Sequence, residues 1–538
     1  MSGVIERARQ WIAHDPDPKA RAELQALIDS GEHAELEDRF SGPLSFGTAG
    51  LRARVRAGEN GMNIATVTRT TAGLAAWLNN QVERPEVVVG CDARHGSAAF
   101  QQATAETLSA AGCIVHLLPA QLPTPITAFA CRDLKADAAV MITASHNPAP
   151  DNGYKVYLGG RICEHDYQRG VQLISPADKE ISEQIAAAPP ADQVPRNREL
   201  IRPLGDEVTQ RYLQRTCSLV EGNSDYPMVL TAMHGVGGTL LVEALRRVGF
   251  SKVYPVAQQQ QPDPDFPTVA FPNPEEAGAL DLAYEEGSQQ GAGIVLALDP
   301  DADRCSVAVR TGDSWQQLSG DNVGALLGED MALQASGTMA CSIVSSRLLS
   351  HIAQAHGLKS EPTLTGFKWI GRVPQLSFGY EEALGYCTDP EFVRDKDGIS
   401  ACLRMADLAA RLHATGKTLL EQLDEIYQKY GYFRTEPLTL RFEDSSQIMP
   451  LLQRVQAHPP QHLAGSPVVE TTNLAHGFHG LPGTPGLMLR TADDSRVIIR
   501  PSGTEPKLKC YLETIDQDPA LADQRMQGLL KDLRSALS

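Results

Sequence analysis

The stretch IVLALDPDADR (294–304) decides the fold class of this chain. An apolar run of strand length leads directly into a polar loop, an arrangement typical of the carboxyl edge of an α/β sheet. Similar β-branched runs alternate with Ala- and Leu-rich helical segments from about residue 64 onward: VVVG (87–90), IVHLL (114–118), AAVMIT (138–143), MVLTAM (228–233) and CSIVSS (341–346). Strands separated by helices predict βαβ units with largely parallel sheets.

The length of the chain predicts several domains. At roughly 150 residues per domain, 538 residues correspond to three or four. The first forty residues are predicted to be helical, with one helix ending at Gly31, and the chain is predicted to end in a helix over 519–537. The Pro- and Gln-rich stretches 186–204 and 257–274 indicate a linker and a long loop. The predicted domains are 1–204, 205–318, 319–437 and 438–538.

The charge balance disfavours two classes of partner. The chain has 48 Lys and Arg against 66 Asp and Glu, a formal net charge of −18. Because an acidic surface repels polyanions, we expect no nucleic acid and no membrane partner. No apolar stretch has the roughly 18 residues of a transmembrane helix, and the N-terminus does not resemble a secretory signal. Ten scattered cysteines without a CxxC pair predict reduced thiols and a cytoplasmic protein.

Three aspartates in LALDPDADR (296–304) form the first candidate site. Asp299, Asp301 and Asp303 follow an apolar strand at alternate positions, so an extended or tightly looped backbone places them on one side. Packed carboxylates repel one another unless a hard cation lies among them, and oxygen ligands suit Mg²⁺ or Ca²⁺. Arg304 is a candidate phosphate-binding fork. The alternative interpretation is a solvated acidic turn.

A serine in MITASHNPAPDNGYK (141–155) forms the second candidate site. Ser145 follows a strand predicted to be buried, and we expect it to be exposed in a turn beside neutral His146. Lys155 is a candidate cation or general acid/base. Taken alone, the motif also fits an ordinary turn.

Three further loops carry polar groups suited to binding. In VIIRPSGTEPKLK (497–509), a guanidinium, hydroxyls and backbone N–H groups around a glycine could cradle a phosphate, although a basic hairpin turn fits equally well. PLSFGTAGLRARVR (43–56) presents Arg52 and Arg54 on one side of an extended backbone. SFGYEEALGY (377–386) places Glu381 in a turn, near TGFKWIG (365–371) and VRDKDGIS (393–400) in the sequence.

Taken in order, these motifs resemble the α-D-phosphohexomutase family. The match runs through FGTAGLR, TASHNP, DPDADR, TGFKWIG with GYEEALGY, and RPSGTEP. The resemblance implies an α/β fold of four domains around a central cleft, with three mixed-sheet units of similar topology and a smaller C-terminal α+β phosphate-binding domain. The N-terminal extension and AMHGVGG (232–238) resemble the longer phosphoglucomutase and phosphopentomutase branch.

The resemblance also implies roles for individual residues. Ser145 would carry a phosphoryl group as phosphoserine, and Ser145 with the three aspartates would hold one Mg²⁺ per chain. The expected catalytic set is Ser145, Lys155, Arg304, Arg52 and His146. The expected substrate-binding set is Glu381, Lys368, Arg500, Ser502, Gly503 and Thr504. The chain departs from the common pattern at Ala383 and Tyr386, where many members have Ser and some have His.

The reaction that the resemblance implies is phosphoglucomutase activity on a small phosphorylated sugar. Glucose 1-phosphate and glucose 6-phosphate would interconvert through a glucose 1,6-bisphosphate intermediate, which also acts as activator. Phosphopentomutase, phosphomannomutase and sugar bisphosphate synthase activities remain alternatives, as does a non-catalytic sugar-phosphate binding protein. The sequence does not indicate an oligomeric state.

Overall fold

The computed structural model describes residues 2–502 and 507–537. These residues form two compact units. One contains the chain up to Leu318 together with Leu384–Ala414, and the other contains Ser319–Ala383 and the residues from Thr415 onward. The return of Leu384–Ala414 to the first unit is not visible in the sequence pattern, and the predicted domain boundaries at 204, 318 and 437 stay predictions.

The N-terminal extension is helical, as predicted. Its helices are α1 Ser2–His14, α2 Pro18–Ser30 and α3 His33–Arg39. Asp17 caps α2 by accepting a hydrogen bond from the Lys19 N–H, and Gly31 ends α2 in the left-handed conformation at φ +71°. The three helices enclose a small core of their own, which includes Leu24, Leu36 and Phe40.

A seven-stranded mixed sheet follows in the first unit. Its strands are β1 Leu51–Arg54, β2 Glu86–Cys91, β3 Ile114–Leu117, β4 Ala138–Ile142, β5 Asp151–Leu158, β6 Val171–Gln172 and β7 Ile201–Pro203. Its helices are α4 Ile64–Gln81, α5 Ser97–Ala110, α6 Thr124–Asp133 and α7 Ala177–Ala187. The strand order is β1-β5-β4-β2-β3-β7, with β6 paired to β5. The β4-β2-β3-β7 part is parallel, and β5 runs antiparallel to both β1 and β4.

One sequence expectation fails in this sheet. Residues 186–204 were expected to be a linker, but α7 extends to Ala187, and β7 adds a parallel edge strand next to β3. Proline and charged residues are tolerated on an edge strand, where one row of backbone groups faces away from the sheet. The composition of a loop and that of an edge strand are therefore alike.

A second mixed sheet follows in the first unit. Its strands are β8 Met228–Thr231, β9 Val253–Pro255, β10 Ile294–Leu298, β11 Cys305–Thr311 and β12 Ser314–Gln317, with helices α8 Glu207–Cys217, α9 Gly238–Arg247 and α10 Asp281–Gln290. The order is β12-β11-β10-β8-β9, and β10 pairs parallel with β8 and antiparallel with β11. The predicted strand 294–298 is therefore central to this sheet, and all five of its residues are buried.

The second unit contains a parallel sheet and an antiparallel sheet. The next elements along the chain are α11 Gly320–Ala332, β13 Thr338–Ser342, α12 Leu348–Ala355, β14 Lys359–Thr363, α13 Phe367–Ile370 and β15 Leu376–Glu381. Strand β13 pairs parallel with both β14 and β15. The chain then contributes β16 Gly385–Cys387 and α14 Gly398–Ala414 to the first unit.

The chain ends in an antiparallel sheet covered by helices, as expected for an α+β domain. The elements are α15 Leu419–Tyr430, β17 Tyr432–Arg441, α16 Ile448–Ala457, β18 His462–Leu463, β19 Ser466–Asn473, β20 Leu487–Thr491, β21 Arg496–Pro501, β22 Lys507–Asp516 and α17 Pro519–Leu537. The order is β17-β22-β21-β20-β19-β18. The predicted final helix over 519–537 is confirmed.

All ten cysteines have free thiols, and nine of them are buried. Within residues 2–502 and 507–537, no helix is both long enough and apolar enough to span a membrane.

Candidate active site

The three aspartates converge directly after β10. Asp299, Asp301 and Asp303 are each 0% exposed, and one oxygen from each lies within 4.8 Å of the others. A tight turn brings them together, because Ala302 between them adopts a left-handed conformation at φ +58°. Gly398 lets the start of α14 approach this turn, since a Cβ at Gly398 would lie 2.3 Å from the Arg304 carbonyl oxygen.

The carboxylate cluster has the chemistry of a divalent cation site. Asp301 Oδ1 and Asp303 Oδ1 are buried and have no hydrogen-bond partner within the part of the chain that the structure describes. Burial and the neighbouring carboxylates Asp301 and Asp303 raise the pKa of Asp299 well above its usual range. Unpaired buried carboxylate oxygens are costly, and a hard cation with oxygen ligands removes that cost. The cluster therefore fits Mg²⁺ or Ca²⁺.

Ser145 lies against this cluster. The hydroxyl oxygen Ser145 Oγ donates a hydrogen bond to Asp299 Oδ2 at 2.8 Å and lies 3.2 Å from His146 Nδ1. The expectation of an exposed serine is wrong, since Ser145 is only 3% exposed. It follows β4 in a left-handed conformation at φ +51°, which a non-glycine residue adopts only where its surroundings enforce it.

Arg94 binds the main chain of the Ser145 loop, a role that no sequence motif predicts. Its Nη2 donates hydrogen bonds to the carbonyl oxygens of Ser145 (2.7 Å) and Asn147 (2.5 Å), and its Nη1 donates to those of Pro148 (2.9 Å) and Asp151 (3.1 Å). Arg94 is itself only 4% exposed. The available signal was its position just after β2, at the same sheet edge as Ser145.

Two lysines neutralise the cluster. Lys155 on β5 donates to Asp301 Oδ2 at 2.8 Å and to Asp303 Oδ2 at 3.1 Å. Burial lowers the pKa of Lys155, but Asp301 and Asp303 outweigh burial and raise it above its usual value, so this lysine is an ammonium. Lys396 Nζ also lies 3.1 Å from Asp303 Oδ2. Lys396 lies in VRDKDGIS, and its place beside the aspartates depends on the return of Leu384–Ala414 to the first unit.

The remaining residues of the predicted catalytic set surround Ser145. Arg304 Nε lies 4.0 Å from both Asp299 Oδ2 and Asp303 Oδ1. Arg52 on β1 donates to Asn147 Oδ1 at 2.9 Å. Burial, followed by the charges of Arg304 and Arg52, lowers the pKa of His146 well below its usual value, so the imidazole is neutral. The first unit thus brings all five predicted catalytic residues and the three aspartates together, from loops and strands of both of its sheets.

The predicted substrate-binding residues lie in the second unit. Glu381 Oε1 accepts a hydrogen bond from the Gly366 N–H at 2.5 Å, which joins the GYEEALGY and TGFKWIG motifs. The adjacent carboxylate of Glu382 accepts hydrogen bonds from the hydroxyls of Ser342 and Ser345, each at 3.0 Å. Lys368 lies on the short helix α13 in the same motif.

The C-terminal motif contributes Arg500 at the end of β21, and the Ser502 N–H donates to the Lys507 carbonyl oxygen at 2.8 Å. Gly503 and Thr504 lie outside the described residues. Burial and the Glu382 carboxylate raise the pKa of Tyr511, whereas Arg500 opposes the shift, so the glutamate loop and Arg500 share one neighbourhood in this unit. Tyr386, one of the two departures from the common pattern, is buried in the first unit.

Comparison with known protein families identifies the family of this chain. Models of the phosphoglucomutase/phosphomannomutase family match four successive parts of the chain: α/β/α domain I at 43–191, domain II at 210–312, domain III at 319–430 and the C-terminal domain at 466–528. The chain is therefore a phosphomutase, an isomerase-type phosphotransferase with a four-domain α/β fold. It belongs to the phosphoglucomutase/phosphomannomutase family.

Similar curated proteins are named for activities on different substrates. The chain is 43% identical to a Haemophilus influenzae protein named "Probable phosphomannomutase", over 89% of this chain and 98% of that protein. It is 34% identical to human phosphopentomutase (100% and 96% covered) and 33% identical to human glucose 1,6-bisphosphate synthase (97% and 92% covered). A crystal structure of a Paramecium phosphoglucomutase has the same fold, with a TM-score of 0.69, 18% identity, and 93% and 94% of the two chains covered.

Proposed function

We propose that this phosphomutase interconverts glucose 1-phosphate and glucose 6-phosphate through a phosphoserine at Ser145 and a glucose 1,6-bisphosphate intermediate. The observation that carries the proposal is the 2.8 Å hydrogen bond from Ser145 Oγ to Asp299 in the carboxylate cluster. A serine in a strained loop beside a cation site is suited to carry a phosphoryl group between two sugar hydroxyls.

Asp299, Asp301, Asp303 and an oxygen on Ser145 are the residues that would hold Mg²⁺. When bound, the cation supplies positive charge to the oxygens of the transferring phosphoryl group. Three carboxylates face the cationic side chains of Lys155, Lys396 and Arg304, so the protein alone is close to neutral at this point. The side chains alone therefore supply no surplus of positive charge for a phosphoryl dianion.

The protein side chains account for the proton transfers. When the phosphoryl group leaves Ser145, the bond between Oγ and phosphorus breaks and a bond to the sugar hydroxyl oxygen forms, so the sugar hydroxyl loses a proton and Oγ gains one. Lys155 is an ammonium in the resting site and is suited to donate a proton to Oγ, after which its neutral amine accepts the proton of the sugar hydroxyl. When the phosphoryl group returns, the neutral imidazole of His146, 3.2 Å from Oγ, is suited to accept the serine proton, Lys155 protonates the departing sugar oxygen, and the imidazolium then returns its proton to Lys155.

The second unit supplies the proposed substrate contacts. We assign the sugar hydroxyls to Glu381 and the non-reacting phosphate to Lys368, Arg500, Ser502, Gly503 and Thr504. The Gly366 N–H and the Ser342 and Ser345 hydroxyls orient the two carboxylates of the glutamate loop, which supports this assignment. The bisphosphate must present both of its ends to Ser145, so this phosphate site must accept either phosphate of the sugar.

Phosphopentomutase activity is the second candidate. It is supported by the 34% identity to human phosphopentomutase over the whole chain and by the loss of the Ser and His of the common pattern at Ala383 and Tyr386. The names of other relatives also suggest mannose phosphates as substrates and bisphosphate release as an outcome.

A substrate panel tests the proposal. The protein is incubated with Mg²⁺, catalytic bisphosphate and the 1-phosphate of glucose, mannose or ribose, and kcat/KM is measured for each. The proposal predicts the highest value for glucose and loss of turnover with EDTA. A higher value for ribose assigns the enzyme as a phosphopentomutase, and net accumulation of glucose 1,6-bisphosphate assigns it as a synthase.

Paired serine variants test the phosphoserine. Ser145→Ala should lose turnover, whereas Ser350→Ala, on the exposed surface of α12, should retain it. Normal turnover in a folded Ser145→Ala protein contradicts the proposed mechanism.

A further inference from the structure

A pocket lies between the N-terminal extension and the first sheet domain. It has a volume of about 360 Å³, within the range of sites for small ligands. Its lining comes from α1, from the end of α3, from the loop before α4 and the beginning of α4, and from the segment after α7. It includes Arg7, Trp11, Glu59, Arg69 and Pro190. None of these residues belongs to the proposed catalytic or substrate-binding sets, so the proposed reaction does not account for the pocket.

Arg69 makes the pocket a candidate anion site. A guanidinium has five N–H donors, and within the described residues Arg69 makes a single hydrogen bond, from Nη2 to the Ala188 carbonyl oxygen at 3.2 Å. Its Nε is buried without an acceptor. Arg7 provides a second cation, with Nη1 bound to the Phe40 carbonyl oxygen at 2.7 Å. Unused guanidinium donors beside a cavity favour an oxyanion.

Glu59 does not neutralise both arginines. Its carboxylate lies 3.9 Å from Arg7 Nη1, at the limit of an ion pair, and it has no hydrogen bond to Arg69 within the described chain. Burial raises the pKa of Glu59, and Arg7 and Arg69 only partly offset that shift. The pocket therefore has more positive than negative charge in a protein whose net charge is −18.

Most of the remaining lining is apolar. Trp11 packs edge-on against Phe40 with ring centroids 6.2 Å apart, and Trp11 Nε1 is already bound to Asp15, so the indole offers an apolar surface. Ala65, Ala188, Pro190 and Ala191 are also apolar, and Gln10 and His14 complete the lining as its other polar side chains, His14 with Nδ1 3.1 Å from Asp192 Oδ1. A flat apolar body would displace water from the indole and the alanines.

We propose that this pocket binds a small ligand that carries an oxyanion on a flat apolar body, as in an aromatic carboxylate or an aromatic phosphate monoester. The oxyanion binds Arg69 and Arg7, and the apolar body lies against Trp11 and Pro190. The site is separate from that of the sugar phosphate, and the proposal does not depend on the proposed reaction.

The test uses phenyl phosphate and benzoate as probes. Inorganic phosphate and phenol, the two halves of phenyl phosphate, are the controls. Binding to the full-length protein is measured by titration calorimetry in the presence of saturating glucose 6-phosphate, which occupies the proposed active site. We expect one equivalent of phenyl phosphate or benzoate to bind at least tenfold more tightly than either half, because only the whole probe uses both parts of the pocket.

Arg69→Met should weaken that binding about tenfold or more, since it removes charge-assisted hydrogen bonds. Arg9→Met removes the same charge from the exposed side of α1 and should change binding less than twofold. Arg7→Met is the second test if Arg69→Met does not fold, because Arg7 is 53% exposed. Absence of saturable binding at millimolar probe, equal binding by the Arg69→Met and Arg9→Met variants, or inorganic phosphate binding as tightly as phenyl phosphate overturns the proposal.

Discussion

Replacing Arg94 by lysine tests how the Ser145 loop is held. The guanidinium reaches four carbonyl oxygens between Ser145 and Asp151 with its two terminal nitrogens. A lysine keeps the positive charge beside Asp92 but provides a single nitrogen, which cannot reach both sides of the loop. The left-handed conformation of Ser145 costs on the order of 1–3 kcal/mol, and these bonds contribute to maintaining it, together with the hydrogen bonds of Ser145 to Thr143 and Asp299.

The expected effect of Arg94→Lys is on turnover more than on substrate binding. If Ser145 relaxes out of its left-handed conformation, its Oγ moves away from Asp299, and a displacement of about 1 Å at a reacting atom costs on the order of 100-fold in rate. We therefore expect kcat to fall about 30- to 100-fold, while the KM for glucose 1-phosphate changes less than about threefold. The loss of charge-assisted hydrogen bonds should also lower the free energy of unfolding by about 2–3 kcal/mol.

Arg132→Lys is the matched control. Arg132 also donates to main-chain carbonyl oxygens, those of Asp166, Arg169 and Glu391, but away from Ser145. Both variants should lose stability, and only Arg94→Lys should lose kcat. Steady-state kinetics with urea unfolding of both proteins separates the two effects. A folded Arg94→Lys enzyme with wild-type kcat, or an equal loss of kcat in Arg132→Lys, would refute the positioning role of Arg94.

Three other predictions follow from the cluster and its surroundings. Asp299→Asn should raise the melting temperature without Mg²⁺, because it removes a buried carboxyl group whose ionisation is disfavoured by burial and by two other carboxylates, and should lower kcat at least 100-fold; an unchanged kcat would show that Asp299 is dispensable. Lys396→Met should lower kcat/KM about 10- to 100-fold because Asp303 loses a neighbouring cation. Lys359→Met, at an exposed position, should have no effect, and equal activities of the two variants would show that Lys396 has no role in the site. Burial raises the pKa of Asp397 to about 6, so its ionisation destabilises the native protein as pH rises from about 4 to 6. Asp397→Asn should therefore gain about 2 kcal/mol relative to wild type between pH 4 and pH 7 in urea unfolding, and a pH-independent difference would contradict the shifted pKa.

Local sequence signals predicted much of the fold. The left-handed Gly31 ends α2, and the apolar run 294–298 forms the central strand of its sheet, because a chain-reversing glycine and a fully buried strand depend mainly on local composition. The sequence pattern predicts a linker where the edge strand β7 lies, because the pairing of β7 with β3 depends on partners far away in the sequence.

In the candidate site too, the features that depend on local sequence are predictable, and those that depend on distant contacts are not. The convergence of Asp299, Asp301 and Asp303 was predictable, since all three lie in one short loop. Arg94 and Lys396 were missed because their contacts with the Ser145 loop and with Asp303 span about 50 and 90 residues. The burial of Ser145 was missed as well, because the hydroxyl is covered by a loop from another sheet.

The central claim is that Ser145 carries the transferred phosphoryl group. Intact-protein mass spectrometry, with the modified peptide then sequenced, tests it most directly. Protein treated with glucose 1,6-bisphosphate should carry one phosphoryl group on Ser145, and glucose 6-phosphate with Mg²⁺ should remove it at a rate that matches turnover. Ser145→Ala protein should never acquire it. Full mutase turnover by a protein that carries no phosphoryl group on Ser145 at any stage would contradict the account.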